Sequence, residues 1–149
     1  MKKIFLILLV FVSISTFAQN EPDDIIKEFF ELYESNGTDA ALDYIFSTNK
    51  WLKESQAGID DLKSQLNSTI KLIGEYYGYS PIVTRTISGH MELRTYIVKY
   101  NRQPLRFSFL VYKPNDTWRL QNFKFDDSLD QELEEASAVY RLKENLPDY

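Results

Sequence analysis

The sequence of 149 residues contains no cysteine, and this absence excludes several kinds of chemistry at once. It rules out disulfides, a thiol nucleophile, cysteine zinc ligands and lipid attachment at a signal-peptide cysteine. The fold must therefore be held together by its hydrophobic core. The material for that core is present, because 44% of the residues are hydrophobic and the chain has 10 Tyr and 10 Phe. Such a composition argues against disorder.

The sequence has only one histidine and no cluster of lysines and arginines. The single histidine, His90, follows Gly89 in a predicted turn, where a general base lacks both a partner and a pocket. The glycines form no phosphate loop, and no nucleophile-elbow motif is present. With 17 Lys and Arg against 22 Asp and Glu, and no basic cluster, the chain is not expected to bind nucleic acid or an anionic lipid surface. We predict no catalytic residue and no cofactor.

The acidic residues concentrate where a last helix is predicted to begin. The members of this cluster are Asp126, Asp127, Asp130, Glu132, Glu134 and Glu135. Carboxylates are ligands that calcium prefers, but the segment has no glycine turn and no EF-hand spacing. A solvated helix start, favoured by the helix dipole, is the better interpretation, and we predict no metal site.

The first residues are typical of an export signal. Met1–Lys3 is basic, Ile4–Val12 is apolar, and small residues lead to Ala18, which is the order found in secretory signal peptides. An uncleaved membrane anchor is the alternative, but the apolar run is short against the about 20 residues of a span. We predict that residues 1–18 are removed and that the protein is periplasmic or secreted, without membrane attachment afterwards.

The N-terminal half of the remaining chain has helical periodicity. Apolar residues at i, i+3 and i+4 spacing predict helices over Pro22–Asn36, Asp39–Phe46 and Leu52–Ile73. Glycines follow the first and third helices as natural stops. Gly58 marks either a kink in the third helix or its true start.

The next part of the chain alternates with the period of strands. Four segments carry this pattern and are predicted strands: Ile82–Ser88, Met91–Tyr100, Leu105–Tyr112 and Trp118–Asp126. The short links between them imply an antiparallel meander. Tyr76–Pro81 is interpreted as a transition segment before the first strand. A change of apolar phase in the last strand predicts a bulge near Gln121 and Asn122.

The second strand has two unlike faces. Met91, Leu93 and Ile97 form an apolar face, which we expect to meet the helices. The opposite face mixes charged residues with Tyr96 and Tyr100. We expect that face to be partly exposed and, because of its tyrosines, suited to an interface.

A final helix is predicted from Leu129 to about Glu144. Ser128 and Gln131 have the spacing of a capping box at its start. Its apolar residues lie at helical spacing and are Leu129, Leu133, Ala136 and Tyr140.

The order of these elements, with the closing segment Trp118–Asp126 (WRLQNFKFD), resembles the NTF2-like (cystatin-like) superfamily, to which many small exported bacterial proteins are similar. The resemblance covers Pro22–Asp126. It implies an α+β fold in which three N-terminal helices pack on a curved four-stranded antiparallel sheet, a cone with a pocket at its wide end. It also implies dimerisation through the open face of the sheet. We therefore divide the chain into an NTF2-like domain, residues 19–127, and an additional C-terminal helix and tail, residues 128–149.

Aromatic residues are the main functional candidates, because Tyr and Trp combine apolar area with a polar tip. The candidate ligand or interface residues are Trp51, Tyr76, Tyr77, Tyr79, Arg85, Arg94, Tyr96, Tyr100, Tyr112 and Trp118. The alternative is that the aromatics fill a small core. Arg85 and Arg94 could bind a carboxylate ligand, but pairing with a neighbouring Glu75 or Glu92 is the expected arrangement.

Three functional hypotheses remain open at this point. The first is an exported, non-enzymatic binding or interaction module, forming a homodimer through the sheet face and binding a small apolar ligand or a protein partner. The second is a small-molecule isomerase or hydrolase with an acid or base in the NTF2-like pocket. The third is a structural accessory protein whose last helix docks on a partner.

Overall fold

The computed structural model describes the backbone of residues 21–144, and the side chains in that range except those of Lys53 and residues 139–144. The elements in chain order are α1 (Pro22–Asn36), α2 (Thr38–Ser47), α3 (Lys50–Lys53), α4 (Gln56–Ile73), β1 (Tyr76–Ile87), β2 (Met91–Tyr100), β3 (Leu105–Tyr112), β4 (Arg119–Asp126) and α5 (Leu129–Glu144). The predicted signal peptide lies outside the described residues. Within residues 21–144, none of the helices combines the length and the apolarity that a membrane span requires.

The four strands form one antiparallel sheet in the order β1-β2-β3-β4. The predicted α+β class, the meander and the final helix are thereby confirmed. Gln121 is the extra residue of a bulge, because Leu110 pairs with Asn122 whereas Val111 pairs with Leu120. This confirms the bulge predicted from the change of apolar phase. It bends β4 and, with two register shifts between β1 and β2, adds to the twist and curvature of the sheet.

The predicted helix Leu52–Ile73 is wrong at its start, since two helices, α3 and α4, occupy this region. The cause is a tertiary hydrogen bond. The buried side chain of Asn49 donates to the Leu120 carbonyl of β4 at 2.7 Å and accepts from the Trp51 N–H at 3.1 Å. It therefore caps a short helix that begins earlier than apolar periodicity indicated. Four helices, rather than three, precede the sheet.

The predicted transition segment Tyr76–Pro81 is also wrong, because it is the first half of β1. Tyr76 pairs with Tyr100 and Tyr79 with Val98, and a register shift between them absorbs the intervening residues. Gly78 lies within this shift with a φ of +97°, a conformation that favours glycine. Glycine and proline in this segment suggested a loop, but the second half of β2, from Tyr96 to Tyr100, supplies pairing partners for it.

The core lies between α1 and one face of the sheet, here called the inner face. The Phe29 ring lies 5.0 Å from the Phe109 ring and 5.8 Å from the Phe123 ring, between centroids. Phe30 stacks on Tyr79 of β1 at 3.6 Å. Edge-to-face and stacked pairs of this kind contribute beyond the area they bury. Phe30 also lies edge-to-face against Tyr96 of β2, at 5.3 Å between centroids. Two consecutive phenylalanines of α1 thus contact all four strands.

The predicted orientation of β2 is wrong. Tyr96, Val98 and Tyr100 are buried against the helices, whereas Ile97 is half-buried and Leu93 is 37% exposed on the opposite, outer face. Pairing with β3 decides this orientation, because Tyr96 lies opposite Phe107 in the fully apolar inner row of β3. Strand neighbours must present matching faces, and a one-residue change in register would reverse them.

Replacing Phe29 by Ala is expected to lower the free energy of unfolding by about 3–5 kcal/mol, because the ring is fully buried and its removal leaves a cavity. Urea unfolding followed by circular dichroism measures this change. The matched control is Leu72→Ala on α4, where the side chain is 68% exposed and the expected change is within about 0.5 kcal/mol. A loss below about 1 kcal/mol for Phe29→Ala would contradict the packing described.

Candidate functional site

Half of the residues predicted to bind a ligand or partner lie in the helix–sheet interface instead. They are Tyr76, Tyr79, Tyr96, Tyr100 and Trp118. The rings of the four tyrosines pack against one another and against the phenylalanines of α1. For these five residues, the structure therefore favours the alternative of core filling.

The other candidates do not converge on one place. Trp51 and Tyr77 are exposed on different elements, and Lys50 lies 4.8 Å from the Trp51 ring. Arg85 and Tyr112 are on the outer face of the sheet, at separate strands. His90 lies exposed in the turn between β1 and β2, as predicted.

The hydroxyl groups of Tyr33 and Tyr100 form a buried pair at one end of the core, beside the partly exposed Tyr76. The hydroxyls of Tyr33 and Tyr100 are 2.5 Å apart, and the Tyr76 hydroxyl donates to Glu34 at 3.0 Å. Burial raises the pKa of Tyr100 far above its ordinary value, and the neighbouring Tyr33 raises it further. Burial and the Glu34 carboxylate likewise raise the pKa of Tyr76. These hydroxyls therefore stay protonated in the folded protein.

The raised pKa of the buried Tyr100 predicts that the free energy of unfolding falls at alkaline pH. The folded pKa of Tyr100 lies above the unfolded value near about 10, so its contribution is fully present below about pH 10. That contribution is lost as the pH rises from there towards the folded pKa. Unfolding free energies measured between about pH 8 and 11 should fall along this range, and Tyr100→Phe should reduce the slope. Ionisation of all 10 tyrosines near pH 10 with an intact fold would contradict this prediction.

An arginine cleft of about 380 Å³ lies between the start of α1 and the inner face of β1 and β2. Arg94 donates to Glu92 at 2.9 Å and also donates to the exposed Asp23. The predicted pairing of Arg94 with Glu92 is confirmed. Arg85 makes no ion pair within the part of the chain described, so the same prediction is wrong for it. In this cleft the Asp23 carboxylate and the Arg94 guanidinium bind each other, as expected of a structural ion pair.

The outer face of the sheet carries an apolar surface. Three of its residues, Met91, Leu93 and Ile97, were predicted to face the helices. Its apolar residues are Ile82, Val83, Ile87, Met91, Leu93, Ile97, Leu110 and Tyr112. They are neighbours across strands, because Ile87 pairs with Met91 and Leu93 with Leu110. The signal for this surface was present in β2, in which both alternating sets of residues contain large apolar side chains.

A groove of about 500 Å³ lies between α5 and one end of this outer face. Ile82, Ile97 and Pro104 line it from the sheet and the following loop, and α5 contributes an apolar wall. The residues of that wall are Leu129, Leu133 and Ala136. Asp130 and Glu132 are the charged residues of its lining. We call this feature the α5 groove.

Arg106 of β3 holds α5 over the sheet. Its guanidinium contacts both carboxylate oxygens of Asp126, at 2.9 and 3.1 Å, and also donates to Glu132 of α5. Asp126 in turn accepts from the Ser128 N–H at 3.0 Å. The predicted capping box is wrong, because the Gln131 side chain donates to Glu135. Two members of the acidic cluster thus bind Arg106 and position the wall of the groove.

No family model matches the chain, and neither a curated protein nor a solved structure is detectably similar to it.

Arg106→Gln is expected to release α5 while leaving the domain folded. The partly exposed ion pairs contribute about 1 kcal/mol or less to global stability, but they are the polar contacts of α5 with the sheet. Amide hydrogen exchange of residues 129–138 should become faster. Lys63→Gln, which breaks the 2.6 Å pair between Lys63 and Asp43, is the control and should leave the exchange of α5 unchanged. Unchanged exchange in Arg106→Gln would refute this anchoring role.

Proposed function

We propose that the protein is an exported, non-enzymatic binding or interaction module of NTF2-like architecture, and that the α5 groove is its ligand site. The observation that carries this proposal is the groove itself. Its volume of about 500 Å³ is in the range of sites for small molecules, and six of its lining residues are apolar.

The filled interior supports a ligand site on the outer face. The rings of Phe29, Phe30 and Tyr79 leave no room for a ligand between α1 and the middle of the sheet. The α5 helix lies beyond the segment that resembles the NTF2-like superfamily. It adds a wall to the outer face and creates a concave surface where the sheet alone would be open.

The chemistry of the lining favours a small apolar ligand. Burying apolar ligand surface against Ile82, Ile97 and Leu129 is favourable by roughly 25 cal/mol per Å². Asp130 and Glu132 disfavour an anionic group at this place. A neutral, largely hydrocarbon molecule therefore fits the site better than a carboxylate.

The alternative of an isomerase or hydrolase has less support. Such an enzyme needs a free acid or base facing its substrate. In the arginine cleft, Asp23 is bound to Arg94, and in the α5 groove Glu132 is bound to Arg106. Among the residues that line the α5 groove, this leaves Asp130 as the one carboxylate without an ion pair to a described residue, in a lining that has no histidine or second free acid. Binding without chemistry remains the better proposal.

Filling the α5 groove tests the proposed function. Nile red, a neutral apolar dye, is expected to bind the wild-type protein with increased fluorescence, and Ala136→Phe should weaken this binding at least about tenfold because the new ring occupies the groove. Ala57→Phe places the same ring at an exposed position of α4 and is the control. Equal dye affinity in the two variants, or no binding by the wild type, would overturn the assignment of the groove.

A further inference from the structure

The two partners of the ion pair in the arginine cleft differ in their contact with solvent. The side chain of Arg94 is only 13% exposed, whereas that of Asp23 is 80% exposed. Glu92 of the same strand is 17% exposed and contacts Nε and Nη2 of Arg94, each at 2.9 Å. Asp23 reaches the guanidinium from the first turn of α1 and accepts from Nη1. Glu92 is therefore the structural partner of Arg94, and Asp23 is the partner that water solvates readily after release.

The guanidinium of Arg94 keeps donors for a further acceptor. A guanidinium has five N–H groups in a planar fork, and each of its three nitrogen atoms bonds to one carboxylate oxygen among the described residues. Nη1 and Nη2 each carry a second N–H, so together they can hold both oxygens of a carboxylate. Asp23 uses only its Oδ1 atom. A ligand carboxylate can therefore make more hydrogen bonds to Arg94 than Asp23 makes.

The rest of the cleft lining suits a carboxylate with an apolar body. The cleft has a volume of about 380 Å³, and Asp23 is the one acid among the described residues that line it. Lys27 adds a second cation, and Thr84 adds a hydroxyl group. The other lining residues are apolar or aromatic, and they are Ile26, Tyr79, Pro81 and Tyr96. An anionic group beside Arg94 and Lys27, with hydrocarbon against this apolar wall, matches the lining.

The aromatic part of this wall is held in place by the core. The Tyr79 ring stacks on Phe30 at 3.6 Å between centroids, and the Tyr96 ring lies edge-to-face against Phe30 at 5.3 Å. Both tyrosines therefore keep their positions whether or not a ligand is bound. A wall that is already ordered lowers the entropy cost of binding.

We infer that the arginine cleft is a ligand site for a small carboxylate with an aromatic or hydrocarbon body, and that Asp23 competes with the ligand for Arg94. Because Asp23 is tethered beside Arg94, it acts at a high effective concentration and weakens the binding of every such ligand. Binding replaces one carboxylate by another and needs no covalent step. The inference goes beyond the α5 groove and does not depend on it, because the cleft lies at the inner face of the sheet.

An NMR titration with phenylacetate tests the inference, because this probe carries one carboxylate on a small aromatic body. Asp23→Asn removes the competing carboxylate and should lower the Kd of phenylacetate at least about tenfold relative to the wild type. Asp43→Asn is the matched control, because it also removes one exposed, paired carboxylate, and it should change the Kd less than about twofold since exposed charges are screened. Phenylacetamide, the uncharged analogue, should bind Asp23→Asn at least about tenfold more weakly than phenylacetate does.

A second substitution tests the role of the guanidinium. In the Asp23→Asn background, Arg94→Lys keeps a positive charge for Glu92 but lacks the planar fork, so the Kd of phenylacetate should rise at least about tenfold. Equal affinity of phenylacetate for Asp23→Asn and for the wild type would overturn the inference. Equal affinity of the two probes for Asp23→Asn, unchanged binding after Arg94→Lys, or no binding of phenylacetate by Asp23→Asn would overturn it as well.

The place at which phenylacetate binds separates this inference from the proposed function. The probe should shift the amide signals of Lys27 and Thr84, which line the cleft, and Ala136→Phe in the α5 groove should leave its Kd unchanged. Loss of phenylacetate binding in Ala136→Phe would place the probe in the α5 groove and overturn the cleft site. If Nile red does not bind but Asp23→Asn binds phenylacetate as expected, the α5 groove is wrong and the cleft site stands.

Discussion

The packing of Phe29 and Phe30 across the inner face of the sheet is the interaction on which the other features depend. These adjacent side chains contact rings on all four strands, and they join the N-terminal helix to strands far away in sequence. Because these rings are buried and pack edge-to-face or stacked, they are a main source of the stability of the domain. The proposed ligand site therefore lies on the face of the sheet opposite to the aromatic core.

The α5 helix lies over one end of the outer face and forms a groove with it. Its position depends on Arg106, which reaches from β3 to Asp126 and Glu132. These ion pairs are partly exposed, so they orient the helix more than they stabilise the fold. The helix covers one end of the outer face, and the groove beneath it is the proposed ligand site.

Much of the fold could be predicted from local patterns. The bounds of α1, β2 and β3 agree with the periodicity of their residues, and the bulge at Gln121 followed from a change of phase. The start of α3 could not be predicted, because Asn49 caps it through a bond to β4. The candidate site could hardly be predicted at all. Its residues Ile82, Ile97 and Leu133 look like ordinary core residues until the arrangement of the sheet is known.

The sequence by itself determined most of the helices and strands, since periods of 3.6 and 2 and the turn residues are local properties, but it did not determine α3 or the first half of β1. It also determined that the core is aromatic and free of disulfides. Only the tertiary structure decided which face of β2 is buried. Both faces carry large apolar residues, and the choice was made by pairing with β3, where Phe107 and Phe109 already face α1. Such pairing is non-local, and it placed Leu93 and Ile97, rather than Tyr96 and Tyr100, on the surface available for binding.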